Sequence, residues 1–482
     1  MTLATWLVAV LVAGTDVASA PQGPVPAGTR PPAAAQPAPA EGGQEQATST
    51  KQASADDGSA TTSEDQEKDK KKKKKDAGEE VHGFVWKDRP SFRWGDWVRV
   101  DFRLKLQVDF WSSPDPTERE EDGLDWSRRR IGVKGFVFKK LEYEIEHDLA
   151  SDGEWRDVYL NAAWLPYAQA RGGKFKIPFS LEALTGPTDL DYVLRTRAVD
   201  ALACGRSVGF LAHGQVRKKA VHYQVGYFRD DGEWSPALEP SYPDEPLPAD
   251  ARQPALAFRG TVAPFHLAGN KGLLKTLTVG AAMVSTDVPE GPNHLQGQSA
   301  SGYHFFPRHY LTSGRRLRAG VEFVWTPGPV GVSAEYLESR EARVGVGVGT
   351  PEQLDQTLPD LAGRGWYLSG TWVLTGENKE GGINPKKPIF RGGFGAVEIG
   401  ARYESLTFET PEPDGPPSFS RRSPTVMPNR ERALTIGANW YPNKWVKIQV
   451  NGIRESFADP ARSPIPDRPS FWSVACRLQF AL

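Results

Sequence analysis

Residues 97–110 read WVRVDFRLKLQVDF. From Val98 to Phe110 the alternation is unbroken. Val98, Val100, Phe102, Leu104, Leu106, Val108 and Phe110 fall on one side, and Arg99, Asp101, Arg103, Lys105, Gln107 and Asp109 on the other. Successive side chains of a strand point to opposite faces, so this period of two predicts a β-strand with one hydrocarbon face and one charged face. Strands of globular proteins usually run ~5–6 residues, whereas a tilted strand crossing a bilayer needs ~9–11. The stretch is long enough for the second. Its charged face would look into water and its apolar face into lipid.

The same alternation recurs along the chain. Val221, Tyr223, Val225 and Tyr227 are spaced by two, as are Leu317, Ala319, Val321, Phe323 and Trp325. So are Val330 to Tyr336, Val397 to Tyr403, Leu434 to Trp440, and Ile448 with Val450. Pro/Gly/Asp clusters separate them, among them EPSYPDEPLPAD (239–250) and TPEPDGPPS (410–418), which read as loops. No amphipathic helix pattern interrupts the series, which argues against an α/β layout. A spanning strand with half a short turn and half a long loop takes roughly 25 residues. Residues 81–482 therefore predict an all-β transmembrane antiparallel barrel of about 16 strands, an even number as in single-chain barrels. The last twelve residues, FWSVACRLQFAL, alternate to the end. A closing strand is what lipid demands, because unpaired backbone groups at an open edge cost several kcal/mol each there.

The composition agrees. Of 482 residues, 59 are Lys or Arg and 60 are Asp or Glu, a net charge of −1 that gives no basic surplus for nucleic acid. After the N-terminus no apolar run reaches the ~18 residues of a helical span, and a mean hydropathy of −0.50 is compatible with strands that are only half apolar. Two cysteines, Cys204 and Cys476, make neither a disulfide framework nor a zinc pattern. Cys476 sits on the apolar register of the last strand and reads as a small hydrophobe.

Residues 1–20 resemble a secretory signal peptide, with an apolar Leu7–Ala13 run and small residues at Ala18-Ser19-Ala20, although no Lys or Arg precedes the run. Residues 21–80 pass from a Pro/Ala stretch to the lysine run Lys70–Lys75 and lack the aromatic and branched residues of a core, so a disordered linker is expected. The lysine run reads as a solvated spacer. A contact with anionic lipid or cell-wall polymer is the functional alternative.

Several segments, in order, resemble one family. They are RRRIGVKGFVFKKLEYEIEHDLA (128–150), WRDVYLNAAW (155–164), GGKFKIPFSLEALTG (172–186), GRSVGF (205–210), WYLSGTWVLTGENK (366–379), GAVEIGARYESLTF (395–408) and LTIGANWYPNKWVKIQV (434–450). Together they are similar to the phosphate-selective porins O and P. That resemblance implies a 16-stranded outer-membrane barrel, usually a homotrimer, that passes small anions by diffusion through a basic constriction. No cofactor or metal is implied. Two positions depart from the family pattern. Ile131 stands where phosphate-selective members carry Tyr, and Ala183 stands where they carry Lys. These departures leave the anion preference open and favour a general porin over a dedicated phosphate channel.

The alternation places Arg99, Arg103 and Lys105 on the wet face, hence in the lumen. A lumen with low-dielectric walls focuses the field of its lining charges. Arginine suits phosphate because its planar fork donates two parallel hydrogen bonds, and conduction needs a series of weak sites rather than one tight trap. Arg128, Arg129, Lys174, Lys176, Arg195, Arg197 and Arg206 are the further candidates for the anion path. For most of these residues, pairing with a neighbouring Asp or Glu is the plainer expectation.

Other chemistry finds little support. Gly205-Arg206-Ser207-Val208-Gly209 matches the hydrolase Gly-x-Ser-x-Gly pattern, and His213 and His222 follow, but the pattern needs a strand-turn-helix elbow and no helix follows Ser207. The histidines lack zincin spacing, no phosphate-cradling Gly-Lys-Ser/Thr loop occurs, and GVGVG (345–349) lacks dinucleotide spacing. Two rival readings stand beside the porin. One is a structural barrel that anchors the lysine-rich tail to the cell wall, and the other is a barrel enzyme. A soluble β-sandwich is a more distant third.

Overall fold

The computed structural model describes residues 82–86, 89–114, 123–149, 153–232, 253–306, 310–344, 357–410, 425–465 and 468–482. The leader, the linker with Lys70–Lys75, the 239–250 loop, GVGVG and nearly all of 410–418 lie outside the described residues.

A short hairpin, β1 (His82–Trp86) and β2 (Pro90–Trp94), precedes the barrel. Then follow β3 (Val98–Ser112), β4 (Gly123–Val137), β5 (Leu141–Asp148), β6 (Glu154–Leu165), β7 (Ala168–Lys176), β8 (Arg206–Val216), β9 (Val221–Phe228), β10 (Ala255–Val262) and β11 (Thr278–Pro292). Two brief strands, β12 (Gly297–Gln298) and β13 (His304–Phe306), pair within the next connection. The wall resumes with β14 (Leu311–Trp325), β15 (Val330–Val344), β16 (Thr357–Val373), β17 (Ala396–Glu409), β18 (Asn429–Tyr441), β19 (Val446–Phe457) and β20 (Ser470–Ala481).

Each wall strand pairs antiparallel with the next, and β20 pairs with β3 from Val474↔Ser112 to Ala481↔Lys105. The ring is closed and has 16 strands, as the strand arithmetic expects. Leu482 adds a backbone bond of 2.9 Å to the Leu104 carbonyl. Below that point β2 takes over the free edge of β3, from Ser91↔Asp101 to Trp94↔Val98. Most connections at one end of the ring are short turns and most at the other are longer, with β10–β11 and β16–β17 long at the short-turn end and β5–β6 short at the other. In the β4–β5 and β8–β9 turns, Phe138, Lys139 and Arg217 to Lys219 all take positive φ between 51° and 70°. Tight hairpins require that geometry, because it matches the right-handed twist of the flanking strands.

The faces are inverted relative to a soluble sheet. Phe210, Tyr227, Leu368, Ile436, Leu478 and Trp472 are exposed on the outer wall, while Gln107, Arg318, Glu398 and Gln449 inside are fully buried. A soluble sandwich hides the first set and shows the second, so that reading is set aside.

The lumen is not polar throughout. Toward the long-loop end a buried apolar cluster fills part of it, including Phe228, Phe305, Phe306, Leu337, Phe408 and Phe457. Two connections fold inward to build it, residues 177–205 after β7 and residues 293–306 after β11. Phe306 stacks on Phe408 with ring centroids 4.4 Å apart. The sequence reading, which assigned every inner face to water, missed this cluster.

The basic wall as candidate functional site

The 177–205 connection carries two short helices, α1 (Leu181–Leu184) and α2 (Arg197–Leu202), and it shapes the site. Its entry is fixed by Phe175, Ile177 and Phe179, all buried in the apolar cluster. Ser180 caps α1 by accepting from the Ala183 amide, and the Glu335 carboxylate on β15 accepts from the Leu181 amide (2.6 Å), the Glu182 amide (3.0 Å) and the Ser180 hydroxyl (3.1 Å). Farther along, Gln107 donates to the Pro187 carbonyl (3.1 Å), Gln479 and Lys447 donate to Thr188 (3.1 and 2.9 Å), and Lys447 donates also to Leu190 (2.8 Å). The Asn451 side chain accepts from the Val193 amide at 2.7 Å, and Glu404 accepts from the Arg197 amide at 2.8 Å. The connection thus spans the lumen, from β7 to the strands beside the closing seam and back.

The wall on the β3–β6 side is a charge ladder. The inward residues of β5 form a column of acids, Glu144, Glu146 and Asp148, and cations of β3, β4 and β6 pair with it. Arg103 meets Glu144 at 3.0 Å, and Lys134 meets it at 2.9 Å. Lys105 pairs with Glu146, and Arg130 meets Asp148 at 2.7 Å and Glu146 at 3.5 Å. Arg156 bridges Glu154 (2.8 Å) and Asp148 (3.5 Å). Toward the short-turn end Arg99 pairs with Asp101 at 2.8 Å, and toward the long-loop end Arg206 pairs with Asp157 at 2.8 Å. Lys174 reaches Glu154 at 3.1 Å.

Three cations have neutral partners instead. Arg128 donates to the Gln107 side-chain carbonyl at 2.6 Å. Lys176 donates to the Ala183 carbonyl and, at 3.2 Å, to that of Thr185. Arg195 donates to the carbonyls of Glu182 (3.2 Å) and Thr185 (2.9 Å). All three line one cavity of about 430 Å³, together with Arg130, Arg156 and Arg206; Asp200 is the one carboxylate in its lining. Burial lowers the pKa of Arg195, and the Arg206 and Arg130 cations push the same way against Asp200 and Glu182. A second cavity of about 730 Å³ opens on the short-turn side, with Arg89, Arg103, Lys379, Lys444 and Lys447 against Asp189 and Asp191. Segment 187–191 contributes to both linings, so it lies between the two spaces.

Of the sequence candidates, Arg128, Lys176, Arg195 and Arg206 therefore come together in one space. Arg99, Arg103 and Lys105 are paired with acids, as the plainer expectation had it. Lys174, though paired with Glu154, shares its register row with the outward Ile145, Val158 and Val208, so alternation turns it to the outer face, a correction to the lumen assignment. Arg197 is buried and serves the fold. Its guanidinium donates to the Arg195 carbonyl (2.7 Å) and the Ser299 carbonyl (3.4 Å) and pairs with Asp200. Arg129 is a correction. It lies opposite Leu106 between the inward Arg128 and Arg130, and alternation turns it to the outer face. Ile131 faces outward with it, 47% exposed, so that departure from the family pattern is not in the lumen. Ala183 does line the cavity. Arg130 and Arg156 were missed, although RRR at 128–130 and alternation through LEYEIEHD hold the signal for the first. Arg156 owes its inward side chain to a register shift between Ile145 and His147, which periodicity does not reveal.

The hydrolase pattern dissolves. Ser207 lies inside β8, where its hydroxyl accepts from the Asp230 amide at 3.2 Å, and the His213 ring meets Asn161 at 2.8 Å.

Residues 98–482 match the family model described as phosphate-selective porin O and P. The chain belongs to that family. Membership places it in the outer membrane, with the short turns in the periplasm and the long loops outside. Among curated proteins it is similar to Porin O of Pseudomonas aeruginosa, 28% identical over 140 residues, which is 28% of each chain. It is also similar to a Caulobacter vibrioides protein, 27% identical over 344 residues, 67% of this chain and 64% of that one. The chain thus spans less than two thirds of either relative. Among solved structures it is similar to an anion-selective porin from Comamonas acidovorans, with a TM-score of 0.49 and 11% identity over 80% of this chain and 100% of that one. The outer membrane channel DcaP of Acinetobacter baumannii gives a TM-score of 0.46 and 12% identity over 83% and 100%.

Proposed function

We propose that the protein is a diffusion channel for small anions, phosphate and its relatives among them, and not an enzyme. The reading rests chiefly on one observation: Arg128, Lys176 and Arg195 line a single cavity, and each gives its hydrogen bonds to neutral oxygens. Paired cations on the same wall cancel at a distance. These three do not, so they set the sign of the local potential, and a low-dielectric wall focuses it. The anion path runs from the long-loop side past these three and Arg206, crosses beside segment 187–191, and leaves by the basic short-turn cavity. Arginine forks grip an oxyanion by two hydrogen bonds. Carbonyl-bonded cations release it again, because their donors have alternative acceptors close by. Assembly as a homotrimer belongs to the same proposal and is supported by the family.

The test is planar-bilayer recording of the purified protein under a KCl gradient, followed by phosphate. An anion-signed reversal potential is expected, with phosphate reducing the chloride current. Cation selectivity refutes the assignment, and an absence of channels turns the weight to the structural anchor.

A further inference from the structure

The outer surface of the barrel carries its own cationic site, away from the lumen. On β16–β20 the outward residues fall into three rows that follow the strand register. The lowest runs through Leu368, Tyr403, Leu434, Arg454 and Trp472. The next runs through Trp366, Ser405, Arg432, Ser456 and Ser470. The highest holds Arg364, Thr407 and Arg430. Each row lies two residues nearer the long-loop end than the one below. The wall thus passes from hydrocarbon and aromatic rings to hydroxyls and guanidinium groups within one turn of the pleat.

The aromatic residues mark the height. Trp366, Tyr403 and Trp472 are each between 41% and 50% exposed, and the Trp366 and Tyr403 rings lie 5.7 Å apart. Such girdles sit at the border of hydrocarbon and headgroups. Arg454 lies level with Tyr403 and Trp472, Arg432 level with Trp366 and Arg430 one row above, so these three arginines stand at that border, facing the headgroups of the outer leaflet. Their charges are not spent within the protein. Arg364, in the highest row, differs in being shared between Glu338 and Glu409 and is not part of the site. Arg430, Arg432 and Arg454 are exposed and make no ion pair or side-chain hydrogen bond among the described residues. On the β8–β10 face the comparable row is apolar, and exposed Arg229 stands one row beyond it. There Phe210, Tyr227 and Leu256 share a row at the same end of β8–β10 and stay apolar, 75%, 55% and 47% exposed.

We propose that Arg430, Arg432 and Arg454 form a binding site for the phosphorylated headgroup of an outer-leaflet glycolipid. Three cations with free forks, flanked by the hydroxyls of Thr407 and Ser456, match the chemistry of a phosphomonoester on a sugar. The aromatic rings beside and below these arginines give the acyl chains their seat. A phosphorylated lipid suits this place better than dissolved phosphate, because the site opens sideways into the bilayer and not into either cavity.

Full-length protein in detergent is titrated with bisphosphorylated lipid A, with its enzymatically dephosphorylated form and with inorganic phosphate. Bound lipid is read by native mass spectrometry, and the unfolding temperature is read from the heat-modifiable band on a gel. Bisphosphorylated lipid A is expected to bind and raise the unfolding temperature, while the other two do neither. The R430Q/R432Q/R454Q variant is expected to bind about 100-fold more weakly, taking roughly tenfold or somewhat less for each basic residue at a charged headgroup. Its single-channel conductance and anion selectivity stay at wild-type values, which shows that it folds and separates this site from the lumen. Equal binding by the variant overturns the proposal, as does equal binding of the dephosphorylated lipid or the same stabilisation by inorganic phosphate alone. If the triple variant fails to form a barrel, R432Q and R454Q are measured singly, and unchanged binding by both has the same force.

Discussion

Two inner walls of one barrel face each other and are held together by opposite physics. The β3–β6 wall is a lattice of side chains, with cations of β3, β4 and β6 on the acid column of β5. Toward the long loops, the far wall is an apolar core in which Phe305, Phe306 and Phe408 pack on inward-folded chain. The first wall keeps its space open because charges hold water. The second is closed because hydrocarbon expels it. The barrel is thus a half-filled tube. The side left open is the one whose charge is not fully cancelled.

Four variants break or sharpen that contrast. The largest effect on selectivity is expected from R128Q/K176Q/R195Q, which removes the three cations of the 430 Å³ cavity that bond to neutral oxygens. Anion-over-cation permeability should fall by about tenfold or more, because a focused charged cleft raises local ion concentration by 10–10³. A reversal potential unchanged in the same salt gradient sinks the assignment. Next is Glu146→Gln, which strips the partner from Lys105 and part of that from Arg130. Anion selectivity should rise about two- to threefold while the barrel loses stability, since removing one side of a buried pair costs about 3–5 kcal/mol. Opposite signs in the two readouts are the signature to look for. On the closed wall, Phe408→Ala should lower stability by about 3–5 kcal/mol in a denaturant titration and leave the sign of selectivity alone. The smallest effect belongs to Arg129→Gln. Its side chain is outside the lumen, so reversal potential and conductance should match the wild type.

Much of this was legible in the chain. The thirteen-residue alternation of β3 survives unchanged in the structure, and its charged side is the inner side from Arg99 to Asp109. Period two is local, so it carries over wherever the strand is regular. It fails where the strand is irregular or the environment is not local. The register shift before His147 turns Arg156 inward. In the run of three arginines the lumen assignment falls on Arg128 and Arg129, although strict alternation pairs Arg128 with Arg130 and turns Arg129 away. The inward apolar residues Leu211, Leu337 and Phe408 gave no warning either. They stand on the face that periodicity assigns to water, and they make sense only once residues 177–205 and 293–306 come in to cover them. The cavity has the same origin. Nothing in the spacing of Arg128 and Arg195 brings them together; the path of the 177–205 connection does.

That connection is also a mechanical part. It is fastened to β15 through Glu335, to β17 through Glu404, to β19 through Lys447 and Asn451, and to the seam strands β3 and β20 through Gln107 and Gln479. A hollow cylinder with one thin wall is soft toward ovalisation, and a strut across its diameter stiffens it against that mode. The open channel should therefore carry a quiet current. Cutting one fastening, as in Glu335→Ala, would let the cross-section breathe and would show itself as excess low-frequency noise before any change in mean conductance.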